Sequence, residues 1–453
     1  MDTAPVKKND EITVLISGVT DEGAGVGRID GFAVFVPYAL PGETVRAHII
    51  KVAKNYAVGK LIELIDASPD RVEPVCPHFY KCGACSLLHM NYTAQLEFKR
   101  RIVVDALERI GGFTGVKVEP TVGMDEPFRY RNKGCFPFAE TEDGLHWGLY
   151  AARSHRLIPL NDCIIESKAS VEAANAVLEW AKECGVPAYD EETGKGALRH
   201  VVTRSCTGGS SVCIVTTGRL PEKEKLVELL KKAVPDLKCV VHNINANRTN
   251  VIFGKVFRTV YGEDKLVHTL MGSSFEVSQE SFLQVNTAQT EKLYSLAVEG
   301  LELTGKETVA DVFCGIGTIT LLLAKKAAHA VGIEYVPRAV KDAESNALLN
   351  GVSNAEFHTG AAEEVLPRLI AEGRKFDRIC LDPPRKGADP AVIKAIADSK
   401  AERIAYVSCS PATLARDLKL LCSYGYSIER VAPMDMFPFT QHVETVVLMY
   451  RTV

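Results

Sequence analysis

The sequence contains no uninterrupted apolar run near the roughly 18 residues that a membrane-spanning helix needs. Its first residues, MDTAPVKKNDE, lack the apolar core of a signal peptide. It also lacks internal repeats and low-complexity tracts. These absences predict a cytoplasmic protein with no membrane association.

The sequence has little net charge, since 53 basic and 57 acidic residues give −4 at neutral pH. Nucleic-acid binding needs positive surface, but a local patch can supply it in an acidic chain, so the total does not decide the matter. With 46% hydrophobic and 24% charged residues, the composition is that of a packed globular protein. At about 150 residues per domain, the chain length predicts about three domains.

No export signal accompanies the 13 cysteines. In a chain of this length, a disulfide framework is therefore not expected. Metal ligation, catalysis and core packing are the uses that remain.

Residues 1–68 predict a small antiparallel β-barrel, because runs such as ITVLISGV and FAVFVP alternate apolar and polar residues between glycines and prolines. From Arg46 to Lys60 this segment also carries Lys51 and Lys54 around Tyr56, with no acidic residue. That composition is typical of an RNA-binding face with a stacking aromatic, and equally of a solvated strand face.

Residues 69–289 mix strand-like and helical runs, which predicts an α+β central domain. The apolar spacing from Tyr92 to Ile110, followed by a glycine pair, indicates an amphipathic helix. Further on, the segment FRYRNK at 128–133 interleaves aromatic and cationic residues, a composition that can grip phosphates and stack on bases. Arg131 and Lys133 are the candidate RNA contacts, and an ordinary charged strand face is the alternative.

Residues 290–453 alternate short strands with helices, which predicts parallel βαβ units in a doubly wound, Rossmann-like α/β sheet. Such sheets bind ligands at the carboxyl ends of their strands. The strands expected here are VADVF, AVGIEY, AEFHTG, DRICLD, RIAYVSCS and TVVLMY.

The first of these strands leads into a two-glycine turn, Gly315 and Gly317, and then a helix. Thr320 stands where a dinucleotide fingerprint has its third glycine, which disfavours a dinucleotide. Glu334, at the end of the second strand, is placed to accept both hydroxyls of a ribose. A sugar without a pyrophosphate indicates S-adenosylmethionine. Separately, each feature is also typical of a tight loop or a helix cap.

Two strand ends carry candidate reacting residues, Asp382 in LDPPRKG and Cys409 in VSCSP. Amino-methylating enzymes usually follow Asp-Pro-Pro with an aromatic residue, and Arg385 stands there instead. Carbon 5 of uracil is a poor nucleophile, so its methylation needs a thiolate that adds at carbon 6. Cys409 precedes a predicted helix whose amino terminus could favour the thiolate, although a buried core cysteine is the commoner case.

The covalent adduct must also lose its carbon 5 proton to a base. His442 and Glu444 lie two residues apart near the carboxyl terminus, and on a strand they would face the same side. Glu444 can serve as the base, with a capping or ion-paired carboxylate as the alternative.

Together, the segments FLQVN, DVFCGIGT, GIE, LDPPRKG, VSCSP and HVE resemble those of the RNA uracil-5 methyltransferase family, in the same order and over nearly the whole chain. The resemblance implies a class I methyltransferase domain and a TRAM-like, OB-like RNA-binding barrel. It also implies that Cys409 is the nucleophile and Glu444 the general base. The residues that it implies to contact S-adenosylmethionine are Gln284, Phe313, Glu334 and Asp382.

Cys76, Cys82, Cys85 and the distant Cys163 supply four thiolates, enough for zinc or for a four-iron cluster. Structural zinc sites more often have two close pairs. These positions match the [4Fe-4S] ligands of the RumA-like branch of the family, so the resemblance implies an iron-sulfur cluster. We expect it to act in folding and RNA positioning, without redox turnover.

The resemblance to that branch favours 23S ribosomal RNA as the substrate, because the tRNA-specific branch typically lacks both the cysteines and the barrel. A tRNA uridine-5 methyltransferase and a non-catalytic iron-sulfur RNA-binding protein are the alternatives. No obligate protein partner is evident from the sequence.

Overall fold

The computed structural model describes residues 4–452, and it confirms the predicted fold class. The chain begins with a closed barrel of five strands in the order β1-β2-β3-β5-β4. The strands are β1 (Glu11–Val19), β2 (Ala24–Ile29), β3 (Phe32–Pro37), β4 (Thr44–Val52) and β5 (Tyr56–Asp66).

The barrel departs from the sequence prediction in one strand pair. Four neighbouring pairs are antiparallel, but β3 and β5 run parallel. In a closed ring with an odd number of strands, not every neighbouring pair can be antiparallel. The prediction of a wholly antiparallel barrel is therefore wrong at this seam.

The central part of the chain is built on a seven-stranded sheet in the order β12-β11-β10-β9-β6-β7-β8. Before it lies helix α1 (Tyr92–Ala106), whose last predicted turn is a π-helical turn over Leu107–Gly111. The other elements are β6 (Lys133–Thr141), β7 (Gly144–Tyr150), β8 (Leu157–Pro159), α2 (Lys168–Glu183), β9 (Leu198–Cys206), β10 (Gly209–Thr216), α3 (Lys223–Ala233), β11 (Leu237–Ile244), β12 (Val256–Gly262) and the hairpin β13 (Leu266–Leu270) and β14 (Ser273–Val277).

The carboxyl-terminal part is the predicted doubly wound sheet, in the order β17-β16-β15-β18-β19-β21-β20. No helix within residues 4–452 is long and apolar enough to cross a membrane. The elements are α4 (Thr287–Gly300), β15 (Thr308–Val312), α5 (Thr318–Ala324), β16 (His329–Glu334), α6 (Pro337–Leu349), β17 (Ala355–Thr359), α7 (Ala362–Ala371), β18 (Arg378–Leu381), α8 (Pro390–Ser399), β19 (Arg403–Ser408), α9 (Pro411–Ser423), β20 (Tyr426–Met434) and β21 (Glu444–Arg451).

Strand β20 was not predicted from the sequence. Its residues, YSIERVAPM, interrupt the apolar run with a charged pair and a proline, and its pairing shifts register between Ile428 and Arg430. A proline and a bulge are tolerated there because β20 is the last strand of the sheet, and among the described residues only isolated bridges from Val118 and Val122 pair with its outer side.

Elements from the central sequence region pack on the carboxyl-terminal sheet. Helix α1 packs against α9 and β20. The β13–β14 hairpin is tied to α6, because the side chains of Asn346 and Asn350 accept hydrogen bonds from the backbone of Glu276 and Ser274 at 2.8 Å each. The domain limits at residues 68 and 289 stay predictions.

A buried ion pair holds α1 to the loop between β20 and β21. Lys99 and Asp435 are both fully buried, and the Lys99 ammonium donates to the Asp435 carboxylate and to the carbonyl of Phe437 at 3.0 Å. The hydroxyl of Tyr92 donates to the same carboxylate at 2.8 Å. Each charge is therefore compensated only while the other is present.

We predict that Lys99→Met destabilises the protein by about 3–5 kcal/mol, because it leaves the Asp435 carboxylate buried without its cation. Lys394→Met is the matched control, since Lys394 pairs with Asp398 on the exposed face of α8, and it should leave the unfolding midpoint almost unchanged. Denaturant unfolding followed by circular dichroism measures both, and equal midpoint shifts would contradict the prediction. Adding Asp435→Asn to Lys99→Met should recover part of the loss.

Candidate active site

A cleft of about 1180 Å³ opens at the carboxyl ends of the parallel strands of the carboxyl-terminal sheet. This is the place where open α/β sheets bind ligands. The cleft brings together all six residues that the sequence predicted for catalysis and methyl-donor binding, Gln284, Phe313, Glu334, Asp382, Cys409 and Glu444.

The glycine turn after β15 and the end of β16 form one wall of the cleft. Gly315 donates its backbone N–H to the Glu334 carboxylate at 3.0 Å, and Val336 donates to the other oxygen at 2.8 Å. A carboxylate oxygen can accept more than one hydrogen bond, so Glu334 keeps capacity for ligand hydroxyls. Gly317 has a φ of +82° and ends the turn at the start of α5.

Phe313 sits in the same turn with a φ of +73°, a backbone region that non-glycine residues rarely adopt. Its N–H and that of Cys314 both donate to the carbonyl of Ile333, at 2.9 and 3.0 Å. These bonds to β16 hold the strained residue in place and direct it to the cleft.

Asp382 lies at the end of β18, deep in the cleft. Burial, and to a smaller extent the charge of nearby Asp311, together raise its pKa to about 7. Asp311 itself has a pKa raised to about 7, mainly by burial, although the hydroxyl of Thr320 donates to it at 2.5 Å. Two neighbouring carboxyl groups, that of Asp382 in the cleft and that of buried Asp311, therefore ionise near neutrality.

Cys409 and Glu444 meet because of strand pairing. Strand β21 runs antiparallel to β19, and the pair Ser408 and Thr445 closes their ladder. One step further, Cys409 follows β19 while Glu444 begins β21, so the two side chains are neighbours at the sheet edge. Glu444 is 3% exposed, and its Oε2 has no hydrogen-bond partner among residues 4–452.

Burial opposes the ionisation of both Cys409 and Glu444, the predicted nucleophile and base. Burial raises the pKa of Cys409 to about 11, helped by the charges of Glu444 and Asp382 and opposed by Arg385. Burial also raises the pKa of Glu444 well above its usual value, with the same opposing effect from Arg385. The expected lowering of the Cys409 pKa by the α9 amino terminus is thus outweighed in the free protein by burial.

Gln284 and His442 also line the cleft. The side-chain amide of Gln284 makes no hydrogen bond to another described residue, while its carbonyl accepts from Asn132 at 3.0 Å. His442 lines the cleft as predicted, but it precedes β21 and belongs to the loop before it. Strand alternation is therefore not what directs His442 and Glu444 into one cleft.

Sequence reasoning missed several residues that line the cleft. Arg385 was used only as an argument against another chemistry, although it lies close enough to influence Cys409, Glu444 and His442. Phe282 and Tyr335 are 70% and 73% exposed at the rim, and large exposed aromatics beside a cleft are a signal for stacking.

The four predicted metal ligands, Cys76, Cys82, Cys85 and Cys163, line one small cavity. Burial raises the pKa of Cys163 to about 12 and also raises that of Cys82. Within residues 4–452, no three His, Cys, Asp or Glu side chains are placed close enough together to hold one metal ion. The thiols thus converge without forming a compact single-ion site.

The segment at 128–133 supports this cysteine cavity. Arg129 donates to Asp162 at 2.7 Å and to the carbonyl of Cys163 at 2.7 Å. Arg131 pairs with the buried carboxylate of Glu166 at 2.8 Å, which leaves it little freedom to bind a phosphate. Burial lowers the pKa of Lys133 to about 8. RNA contact by Lys133 stays a prediction.

The basic segment from Arg46 to Lys60 of the barrel is partly neutralised by acidic residues of neighbouring strands. Arg46 pairs with Glu63 at 2.7 Å, which lies opposite it on β5, and with Glu11 at 3.6 Å, which lies diagonally across from it on β1. Lys51 lies 6.0 Å from the ring centre of Tyr56. Cross-strand neighbours, which a linear sequence does not show, supply the acidic charges.

Two sequence families match the chain. The model described as tRNA (uracil-5-)-methyltransferase matches residues 91–452, and that of the TRAM domain matches residues 5–62. A protein of Halalkalibacterium halodurans is 49% identical over 449 residues, covering 98% of both chains. One of Clostridium acetobutylicum is 44% identical over 452 residues, covering 99% of this chain and 98% of its own. Both are named uncharacterized RNA methyltransferases.

Among solved structures, the tRNA (uracil-54, C5)-methyltransferase of Pyrococcus abyssi, in complex with S-adenosyl-L-homocysteine, is similar over almost the whole fold. It is 29% identical with a TM-score of 0.78, and the match covers 96% of this chain and 99% of that one.

We predict that Arg385→Ala makes Cys409 less reactive, because it removes the cation that opposes the rise in the thiol pKa. Alkylation of Cys409 by iodoacetamide near pH 9.5, followed by mass spectrometry of its peptide, should slow, because a smaller fraction of the thiol is ionised. Lys386→Ala, the neighbouring exposed cation, is the control and should leave the rate unchanged. A similar rate in all three proteins would show that Arg385 does not act on the thiol.

Proposed function

The chain belongs to the family of S-adenosylmethionine-dependent RNA uracil-5 methyltransferases, and we propose that it methylates carbon 5 of a uridine in 23S ribosomal RNA, with Cys409 as the nucleophile and Glu444 as the general base. The observation that carries the proposal is the β19–β21 register, which makes a half-buried thiol and a buried carboxylate neighbours in the cleft.

The cleft residues fit S-adenosylmethionine. The glycine turn allows close backbone approach, Glu334 keeps acceptor capacity for ribose hydroxyls, and Phe313 adds an apolar surface. Gln284 and Asp382 add free polar groups deeper in the cleft. When bound, S-adenosylmethionine supplies an electrophilic methyl group.

The first task of the protein is to activate a ring carbon that is a poor nucleophile. The Cys409 thiolate adds to carbon 6 of uracil, and the electrons of the carbon 5–carbon 6 double bond move to form an enolate. Carbon 5 of this adduct then takes up the methyl group. The Arg385 guanidinium favours the thiolate that this step needs.

The second task is to restore the aromatic base. Glu444 removes the proton from carbon 5, the electrons of that bond re-form the double bond, and the carbon 6–sulfur bond breaks to release the Cys409 thiolate. A carboxylate with a raised pKa is a stronger base than an exposed one, which suits this proton transfer. The target base must be in a loop or flipped out of a helix, because a stacked base cannot reach Cys409.

The choice of 23S ribosomal RNA is supported by the four cysteines that line one cavity. The barrel gives no such support. The match to the tRNA enzyme of Pyrococcus abyssi covers 96% of this chain, so it must include most of the barrel. A TRAM-type barrel is therefore compatible with either class of RNA.

A tRNA substrate is the second candidate, favoured by the name of that same structure and of the matching family. The surface that we describe does not separate the two, since both RNAs present phosphates and unpaired bases. RNA fractionation decides between them.

We also propose that Cys76, Cys82, Cys85 and Cys163 hold a [4Fe-4S] cluster. Such a cluster takes one thiolate at each iron, so its ligands lie farther apart than those of one zinc ion. Four thiols spread around one cavity, without a compact group of three, fit that requirement. Its role would be to tie the loop at 76–85 to the central domain.

We predict that the protein releases tritium from ribosomal RNA labelled with [5-³H]uridine when S-adenosylmethionine is added. Cys409→Ala should lower release at least about a thousandfold, because no adduct forms, and Cys422→Ala, a half-buried cysteine of α9, should not. Glu444→Gln should retain the covalent RNA adduct while release falls by about 10²–10⁴.

Release from a tRNA fraction alone would select the second candidate. If neither RNA releases tritium while the protein still binds S-adenosylmethionine, carbon 5 methylation is excluded and an RNA-binding role is left.

We predict that Cys163→Ser loses the bound iron of protein purified without oxygen, because one of four ligands is removed. Cys184→Ser, which alters a half-buried cysteine at the end of α2, should keep it. Iron analysis and the visible absorption spectrum measure both. Full iron content in a soluble Cys163→Ser protein would contradict the cluster assignment.

A further inference from the structure

The loop from Asp435 to Val443 carries His442 and leads directly into Glu444, so the order of this loop affects how firmly the first residue of β21 is held. Phe439, in the middle of the loop, has a φ of +67° and is 5% exposed. Such a backbone conformation costs a non-glycine residue roughly 1–3 kcal/mol and persists only where surrounding contacts impose it.

Those contacts come mainly from the segment that follows the cysteine loop. The backbone N–H groups of Ser86 and Leu87 donate to the carbonyl of Phe439 at 2.9 and 3.0 Å. The N–H of Phe439 donates to Gln95 of α1 at 3.1 Å. The ring of Phe439 packs on Phe128 with 5.0 Å between centroids.

The side chain of Ser86 adds a second pair of bonds closer to Glu444. Its hydroxyl donates to Gln441 Oε1 at 2.6 Å and accepts from the Gln441 backbone N–H at 3.1 Å. The other end of the loop is anchored independently by the Lys99–Asp435 pair. Through Gln441, which stands three residues before Glu444, Ser86 therefore holds the part of the loop that is closest to the base in sequence.

We propose that Ser86 is a positioning residue for Glu444, and that through it the cysteine loop controls the last step of the reaction. Because Ser86 directly follows Cys85, whatever orders Cys85 also orders the bonds to Phe439 and Gln441. This inference rests on the proposed function, since it assigns the affected step to proton removal by Glu444.

The step affected is specific. Addition of Cys409 and uptake of the methyl group by carbon 5 do not use Glu444 as a base. Breaking the carbon 5–hydrogen bond, with expulsion of the Cys409 thiolate, does. Loosening the loop should therefore slow resolution of the methylated adduct more than its formation, whereas general damage to the fold would lower both.

The experiment compares Ser86→Ala with Ser399→Ala. Ser399 is also half-buried and also makes two hydrogen bonds, to Ile396 and Ala401, but it lies at the end of α8. With methyl-labelled S-adenosylmethionine and 5-tritiated RNA, one assay measures the covalent protein–RNA complex that survives denaturing gel electrophoresis, and another measures tritium release.

For Ser86→Ala we expect tritium release to fall about tenfold or more, part of the contribution of a general base, while the methyl-labelled covalent complex increases severalfold. Ser399→Ala should match the wild type, and Ser86→Thr, which keeps the hydroxyl, should recover most of the release. Iron content should be unchanged in Ser86→Ala, so that cluster loss is not the cause.

Unchanged release in Ser86→Ala, or a proportional loss of complex and release, would overturn the inference. If Ser86→Ala does not fold, Gln441→Ala removes the partner from the other side and is judged by the same criterion. Absence of complex and release in the wild type and in Ser399→Ala would instead overturn the proposed function.

Discussion

Glu444 is the first residue of β21, and β21 lies antiparallel to β19, so the beginning of one strand meets the end of the other. This pairing brings Cys409, which directly follows β19, next to Glu444, which begins β21. The two residues lie 35 positions apart in the chain. The cleft depends on this pairing. In a wholly parallel sheet, a strand that followed β19 would begin at the opposite edge, and its first residue would lie far from Cys409.

The antiparallel arrangement of β21 also requires a long loop before it, which other parts of the molecule hold in place. The loop between β20 and β21 must reach the cleft, yet it forms neither a helix nor a strand. It is held instead by partners from three other regions, Lys99 of α1, Gln289 of α4 and Ser86 of the segment after the cysteine loop. A central region that packs onto the carboxyl-terminal sheet is thus part of the active-site architecture.

The sequence predicted the position of candidate site residues best where they follow the parallel strands. The alternation of strands and helices predicted the sheet, and parallel strands bring their carboxyl ends to one edge, so Phe313, Glu334, Asp382 and Cys409 had to converge. Their assignment to roles came from the resemblance. Neither argument could show that Arg46 is neutralised by Glu63 or that Arg131 pairs with Glu166, because both partners arrive through tertiary pairing.

The electrostatic state of the cleft follows from burial. Asp382 and Glu444 have raised pKa values, and the thiol of Cys409 ionises only at about 11. Burial thus opposes ionisation of all three groups in the free protein, which limits the cost of several buried negative charges. A positively charged ligand among them favours their ionised forms by Coulomb attraction, which is stronger in such a site than in water. S-adenosylmethionine carries a positive sulfonium and S-adenosylhomocysteine does not. Binding of the methyl donor should therefore lower the pKa of the Cys409 thiol and of the Glu444 carboxyl group, the two groups that we propose to react.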